Sequence, residues 1–544
     1  SIQIPASAVR PGRTYRVRCR MKDNTDRWSH WSAPVQFVAG QPLSVGILEN
    51  LRITELMYNP PEPPSGPTDN DEFEYVELQN IGDEPLDLTY VAFTNGVNFA
   101  FGNSKVTSLE PGQFVLVVKN ESAFLSRYGT DLADRIAGVY PNKLSNGGER
   151  IKLVDLYNGT IADFEYNDSR GWPGPADGAG HSLVPLPDAI RSQPDGPLNY
   201  CRNWRPSAYI GGSPGAEDPD LATTVVINEL MAHTDYSSPL HPQHDSDDWI
   251  ELYNTSAVSV PLDNWYLSDD KDELTKWAIP AMALAGHARI SFDEINDFHN
   301  PITQGFGLNK AGEELVLSYL SGTSEDRVVD YVRFKGQENF VSLGRYPDGG
   351  DYWFKMNPSR ANANLSPSPN IVISELMYHP IDPNYEYIEL HNPLAVPVTL
   401  INTVGPWRLD GAVSYTFPVG TSIPAAGSLI VVPFNPFTEP AALNAFTAAY
   451  NTGPLTPGAD IVGPWSGSLS NETERVAVER PQAPDTVGDQ VSWVIVDETI
   501  YSDSAPWPTA ADGTGDSLHR TTTAPETSPN NPANWLSAPA GPGN

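Results

Sequence analysis

Ile227-Asn228-Glu229-Leu230-Met231 and, after an acidic, proline-containing loop, Asp248-Trp249-Ile250-Glu251-Leu252-Tyr253-Asn254 are the two strings on which the reading of the fold turns. Both are short and rich in β-branched and aromatic residues, the composition of strands. Both recur. Upstream, Ile53-Thr54-Glu55-Leu56-Met57 precedes Glu74-Tyr75-Val76-Glu77-Leu78-Gln79-Asn80. Downstream, Ile373-Ser374-Glu375-Leu376-Met377 precedes Glu386-Tyr387-Ile388-Glu389-Leu390-His391-Asn392. Tyr75, Glu77 and Gln79 alternate with Val76, Leu78 and Asn80, the period of a half-buried strand.

The agreement continues along each copy. Phe114-Val115-Leu116-Val117-Val118, Arg289-Ile290-Ser291-Phe292 and Leu429-Ile430-Val431-Val432 each follow a glycine-containing turn. Leu144 to Leu153, Leu308 to Leu317 and Leu469 to Val478 are a further matched set. A Gly/Ser turn comes late in each copy, around Ser182-Leu183, Ser342-Leu343 and Ser517-Leu518. Successive copies are offset by 174 (229 − 55) and 146 (375 − 229) residues. Those periods exceed the roughly 20–50 residues of a solenoid unit and fit whole domains in tandem. Short proline-containing linkers, Gly215–Thr224 and Asn364–Asn370, separate them, which predicts semi-rigid connections. The expected organisation is a partial unit over 1–42 and three modules over 43–216, 217–364 and 365–544. Helical turns are expected at Ser122–Tyr128 and Pro440–Tyr450.

Composition agrees with an all-β chain of many loops. Among 544 residues there are 52 Pro, 43 Gly, 13 Trp and 23 Tyr. Asp and Glu number 68 against 33 Lys and Arg, a formal charge of −35, the wrong sign for gripping a nucleic-acid backbone. Cys19 and Cys201 are too few for a disulfide framework. No apolar run is long enough to span a bilayer as a helix. The chain begins at Ser1 without methionine or leader, and is expected to be the C-terminal part of a larger secreted precursor.

At these strings the chain resembles the bacterial lamin-tail domain family. Its members carry I-N-E-[LV]-M followed by D-W-I-E-L-Y-N, nearly word for word the second copy, and Val260-Pro261-Leu262-Asp263-Asn264-Trp265 continues the match. The other copies fit more loosely, with Phe93-Thr94-Asn95 and Trp407-Arg408-Leu409-Asp410 at the corresponding place. The resemblance covers about residues 51–544 and implies tandem immunoglobulin-like β-sandwich modules. Residues 1–42 resemble the last two strands of a fibronectin type III domain: Tyr15-Arg16-Val17-Arg18-Cys19-Arg20, a turn, then Trp28 to Val38. Arg18, Arg20 and Trp28 are expected to form a cation–π ladder.

Candidate sites are few. Each copy carries two glutamates, Glu55/Glu77, Glu229/Glu251 and Glu375/Glu389, with loop acids between them: Asp71 in the first copy, Asp245, Asp247 and Asp248 in the second. Hard oxygen ligands on loops between strands suit Ca2+. The alternative is that each glutamate accepts structural hydrogen bonds at the sandwich end. His241 and His244 share the second loop, a weaker zinc candidate. Trp172, Trp353, Trp465 and Trp507 stand in Gly/Pro-rich loops, as candidates for a glycan- or protein-binding surface or as pins of loop to core. No catalytic motif is present. The expectation is a non-catalytic, extracellular structural or adhesive protein, a rigid rod of modules able to self-associate or to bind other surface proteins. The alternative is a targeting module for carbohydrate or another surface polymer.

Overall fold

The computed structural model describes the chain apart from residues 1–12, 23, 39–44, 64, 67, 156–158, 193–196, 245, 303, 485–489 and 544. It is all-β, and its strands form three pairs of facing sheets. In the first sandwich a six-stranded sheet runs in the order Ile136–Val139, Phe114–Val118, Tyr75–Asn80, Leu51–Met57, Leu183–Pro185, Trp204–Pro206. It faces a sheet ordered Thr160–Tyr166, Glu149–Val154, Ala92–Asn95, Phe99–Ala100. The second sandwich repeats this with Arg289–Asp293, Trp249–Asn254, Val225–Met231, Ser342–Arg345 and Trp353–Met356 on one side. The third uses Ile461–Val462, Ser428–Val431, Tyr387–His391, Val372–Met377, Asp516–Arg520 and Trp535–Pro539.

One feature of the pairing is shared by all three. The first strand shifts register between Ile53 and Glu55, between Ile227 and Glu229, and between Ile373 and Glu375. The extra residue in each case is the small polar one: Thr54, Asn228 or Ser374. Such a bulge re-aims side chains, and here it sets the two glutamates of each copy directly opposite each other, Glu55 on Glu77, Glu229 on Glu251 and Glu375 on Glu389. On the facing sheet, Phe93 lies opposite Leu153 as Leu267 does opposite Leu317 and Leu409 opposite Val478. Phe93 therefore matches Leu267, not Trp265.

The half-buried strand predicted from alternation is corrected. Tyr75–Asn80 is buried along nearly its whole length, Glu77 included. One face meets the inter-sheet core of Ile53, Leu78, Phe164 and Trp204. The other is covered by the helix Glu121–Tyr128 and by the segment that closes the module. That helix packs Phe124 and Tyr128 edge-on to Tyr75, 5.5 Å between centroids in each pair. In the third sandwich Pro440–Ala449 does the same with Phe446 and Tyr387. Both helices carry the chain across to an edge strand lying parallel to the one before, as a parallel pairing requires.

A rod is also corrected. The first sandwich packs against both others. Tyr200 and Cys201, from its last loops, lie in the core of the third with Trp507 and Tyr501. A Cβ on Gly174 would stand 2.1 Å from the Tyr331 ring of the second sandwich, and one on Gly171 2.6 Å from Ile500 of the third. Only glycine lets these surfaces meet.

Of the N-terminal unit, the described part is a hairpin, Thr14–Val17 against Val35–Val38, with Tyr15 stacked on Phe37 at 5.8 Å. The cation of the ladder is Arg20, 4.2 Å from the Trp28 ring and 4.6 Å from Trp31, with Lys22 at 5.7 Å from Trp28. Cys19 and Cys201 are both free thiols.

Candidate functional site

The recurrent glutamates are engaged by donors. Glu55 accepts from the Ser182 hydroxyl at 2.5 Å, the Tyr75 hydroxyl at 2.7 Å and the Ser213 N–H at 2.9 Å. Glu77 accepts from Thr54 at 2.7 Å and from the Gly215 N–H at 2.5 Å. In the second sandwich Glu229 takes the Ser342 hydroxyl at 2.5 Å and the Ser359 N–H and hydroxyl at 2.9 and 2.8 Å. Glu251 takes Asn228 Nδ2 at 3.0 Å and the Ala361 N–H at 2.7 Å. In the third, Glu375 takes Ser517 at 2.5 Å, the Tyr387 hydroxyl, and the Gly541 N–H at 3.1 Å. Glu389 takes Ser374 at 2.8 Å and the Gly543 N–H at 2.7 Å.

The pattern has one meaning in all three. The bulge residue and a late serine orient the two carboxylates. The carboxylates then hold two backbone N–H groups, two residues apart, on the segment that ends the module. The accepting oxygens are turned to donors of the fold, whereas Ca2+ requires six to eight oxygen ligands; Glu55 Oε2 is buried with no hydrogen-bond donor. Of the two readings of Glu55, Glu77, Glu229 and Glu251, calcium ligands or structural acceptors, these hydrogen bonds match the second: the carboxylates clamp the closing segment.

Burial sets their protonation. It pushes Glu55 up to about 7, against hydrogen bonds from Ser182 and Ser213. Burial and then the charge of Glu55 raise Glu77 as well. Glu229, Glu251 and Glu389 are also raised, burial leading. Glu375 is the exception. Burial would raise it too, but His519 Nε2 at 3.1 Å, with Ser517 and Tyr387, outweighs that and holds it low.

The loop acids have separate tasks. Asp248 accepts from the Ser246 hydroxyl and, at 2.8 Å, from the Leu308 N–H. Glu74 takes the Leu144 N–H at 2.9 Å and Glu386 the Leu469 N–H at 3.2 Å. Asp248 is thus the second sandwich's version of a latch between sheets. Asp71 sits in the turn Asn70–Phe73 and pairs with Lys143 at 2.6 Å. Asp247 donates its N–H to the Thr234 hydroxyl oxygen at 2.7 Å, while its Oδ1 is buried with no hydrogen-bond donor. Asp245 lies outside the described residues. Among the described residues, three His, Cys, Asp or Glu ligand atoms come mutually within 4.8 Å at His244, Glu294 and His299, not around Glu229.

The tryptophans divide. Trp465 and Trp507 are core residues of the third sandwich, 5% and 2% exposed, which corrects their reading as a binding surface. Trp172 and Trp353 are half-buried and both line a cavity of about 460 Å³ where the three sandwiches meet. Arg170 spans that junction. Its guanidinium grips Glu498 of the third sandwich with two 2.9 Å bonds and donates to the Arg333 carbonyl of the second at 2.7 Å. Burial would raise the Glu498 carboxyl, but Arg170 and Arg475 hold it down at about 2. Lys335 reaches Glu479 at 2.6 Å and Asp410 at 3.2 Å across the same junction. Arg480 and Lys355 also line the cavity; burial, then the charge of Arg480, lowers the Lys355 amine to about 7. In a chain of formal charge −35, this junction gathers cations.

Residues 48–168, the greater part of the first sandwich, match the lamin tail domain family. The match spans both glutamates of the first clamp and the bulge between them. The lamin tail domain is an immunoglobulin-like β-sandwich, in keeping with the sheets above. No curated protein matches the chain. A solved structure of a DUF4876 family protein from Bacteroides thetaiotaomicron is similar at 10% identity over 51% of this chain and 88% of that one, with a TM-score of 0.20. At that score it adds nothing to the architecture.

Sequence reasoning missed Thr54, Asn228 and Ser374, the serines Ser182, Ser342 and Ser517, and the closing segments. The signal was present: a small polar residue directly before the first glutamate of every copy, and a serine before the leucine of every late turn.

Proposed function

We propose that this protein is a non-catalytic structural component of the cell exterior. Three lamin-tail-type modules, 43–216, 217–364 and 365–544, follow a fibronectin-type-III-like segment over 1–42, in a secreted chain that self-associates. The carrying observation is the use of the recurrent carboxylates. The groups best placed to act as acids or bases are committed to backbone N–H groups of the fold itself, and general acid–base work needs a carboxyl free to reach a substrate. Self-association is supported by the N-terminal hairpin, which leaves Trp28, Trp31, Val35 and Val38 52%, 54%, 66% and 63% exposed. A two-stranded sheet is marginal alone in water, and among the described residues no third strand pairs with it, an arrangement that suits strand addition.

Light scattering on the full chain and on a Trp28→Ser/Trp31→Ser variant tests this. A defined oligomer that the variant loses is expected. Monomers in both cases would overturn the self-association.

A second reading is favoured by the junction cavity, where Trp172, Tyr352 and Trp353 stand among Arg170, Lys335 and Lys355. Aromatic faces beside cations suit an anionic carbohydrate or another charged surface polymer. Glycan-array binding that Trp353→Ala abolishes would move the function to that site.

A further inference from the structure

The second sandwich holds a cluster that neither clamp nor latch uses. His244 lies in the loop between Val225–Met231 and Trp249–Asn254, Glu294 begins the π turn Glu294–Phe298, and His299 follows it. His244 Nδ1 stands 3.3 Å and His299 Nδ1 2.8 Å from the same Glu294 Oε1. The rings meet at 86° with centroids 5.4 Å apart, so their nitrogens approach the carboxylate from different directions. The side chains of His244, Glu294 and His299 are 2%, 8% and 20% exposed.

A hydrogen bond explains one imidazole on a carboxylate. Several observations point beyond that. Two rings crowd one oxygen, while the other oxygen has a long contact from the Asp248 N–H, 3.4 Å. A Cβ on Gly307 would stand 2.8 Å from Glu294 Oε1 and 3.5 Å from His299 Nδ1, so glycine keeps space open beside the two ligand atoms. Asp247, in the same loop as His244, has a buried Oδ1 without a donor. Finally, this is the flank where the other sandwiches place a helix and aromatic rings. Polar groups buried there are costly unless compensated, and a π turn in place of a regular helix often marks a functional position.

The donor set decides the ion. Two imidazole nitrogens and one carboxylate oxygen suit zinc, whose ligands sit at about 2.0–2.2 Å, so that tetrahedral ligand atoms lie roughly 3.3 Å apart. The two nitrogen-to-oxygen spacings, 3.3 and 2.8 Å, bracket that value closely, and all three ligand atoms lie within 4.8 Å of one another. Calcium, which takes oxygen ligands in larger number, does not suit. We infer that His244, Glu294 and His299 bind one zinc-class divalent ion per chain through Nδ1, Oε1 and Nδ1, with a fourth position open. The ion would tie the long loop before Trp249 to the turn after Asp293.

Calorimetric titration of the chelator-stripped full chain with Zn2+ is the test, with Ca2+ and Mg2+ as comparison ions. One Zn2+ per chain, a Zn2+-dependent rise in Tm, and no response to Ca2+ or Mg2+ are expected. His299→Gln, at the more exposed ligand, should lower affinity about tenfold or more, and Glu294→Gln should do likewise. Asp71→Asn, at an acid of the first sandwich that pairs with Lys143, should leave it unchanged. Absence of binding, or zinc uptake that His299→Gln and His244→Gln leave unaltered, would overturn the site and assign the uptake to the acidic surface. X-ray absorption of the zinc-loaded chain supplies a readout independent of variant folding: two imidazoles in the first shell support the site, and an all-oxygen shell refutes it.

Discussion

The flank beyond the third strand differs between the second sandwich and its two neighbours, although the clamp opposite it is the same in all. In the first and third, a helix crosses over and delivers a parallel edge strand, Ile136–Val139 or Ile461–Val462. The crossing buries a small aromatic cluster: Tyr75, Phe124 and partly Tyr128 in one, Tyr387, Phe446 and partly Tyr450 in the other. In the second, the sheet ends at Arg289–Asp293, the helix shrinks to the π turn, and histidines and a glutamate stand where rings would be. The parallel strand and the helix thus vary together. Without a crossover of sufficient length no parallel partner can be reached, and without the helix nothing apolar covers the outer face.

The comparison can be broken most severely at two places. Phe124→Ala and Phe446→Ala should each cost about 3–5 kcal/mol, the usual penalty for emptying a packed aromatic site. Hydrogen-exchange mass spectrometry should show the loss in the first or the third sandwich, and none in the second. Equal loosening of the second would mean the helices stabilise the junction rather than their own modules. Glu498→Ala should cost about 3 kcal/mol, because it leaves half-buried Arg170 without its carboxylate, while Arg475 keeps Asp410 and Glu479. Small-angle scattering should then show the three sandwiches separating.

Glu229→Ala should destabilise the second sandwich by about 3 kcal/mol, since two serine hydroxyls and a backbone N–H lose their acceptor. Exchange at residues 357–361 should rise first. The clamps should also respond oppositely to pH. Glu55 has its folded value raised from 4.5 to about 7, so its contribution is fully present below 4.5 and is lost as pH rises through 7, up to about 3 kcal/mol. Glu375 is lowered and His519 raised. That pair contributes most between the two values and weakens on either side. Replacing His519 with Val, the residue at the matching place in the first sandwich, should make the third lose stability with rising pH as the first does. The smallest effect is expected at Lys105→Ala, whose partner Glu121 shares its surface, with side chains 58% and 33% exposed. Less than about 1 kcal/mol should follow.

Much of the fold was legible in the strings themselves, because strand composition and turn residues are local. The bulge was not. Ile53-Thr54-Glu55 reads as unbroken alternation, and only pairing against Glu74–Asn80 reveals that Thr54 is the extra residue. The fate of the glutamates was illegible for the same reason: their donors, Ser213, Ser359 and Gly541, lie more than a hundred residues downstream. Trp172 and Trp507 share the look of loop aromatics, and only packing separates one at a cavity wall from one in a core. The zinc-class set joins His244 to residues fifty and more positions later, so the sequence paired it with neighbouring His241 rather than with Glu294 and His299.

The clamp also has a mechanical consequence. In the first two sandwiches the held N–H groups lie just before the chain passes to the next one. Tension applied between modules would therefore load Gly215 and Ser213, or Ala361 and Ser359, before it reached any strand. Under stretch these bonds act as a fuse ahead of the sheets. The bonds grip backbone, so most side chains of the closing segment do not set their strength, but Gly212 and Gly215, at φ +76 and +83, let the first segment lie against its clamp.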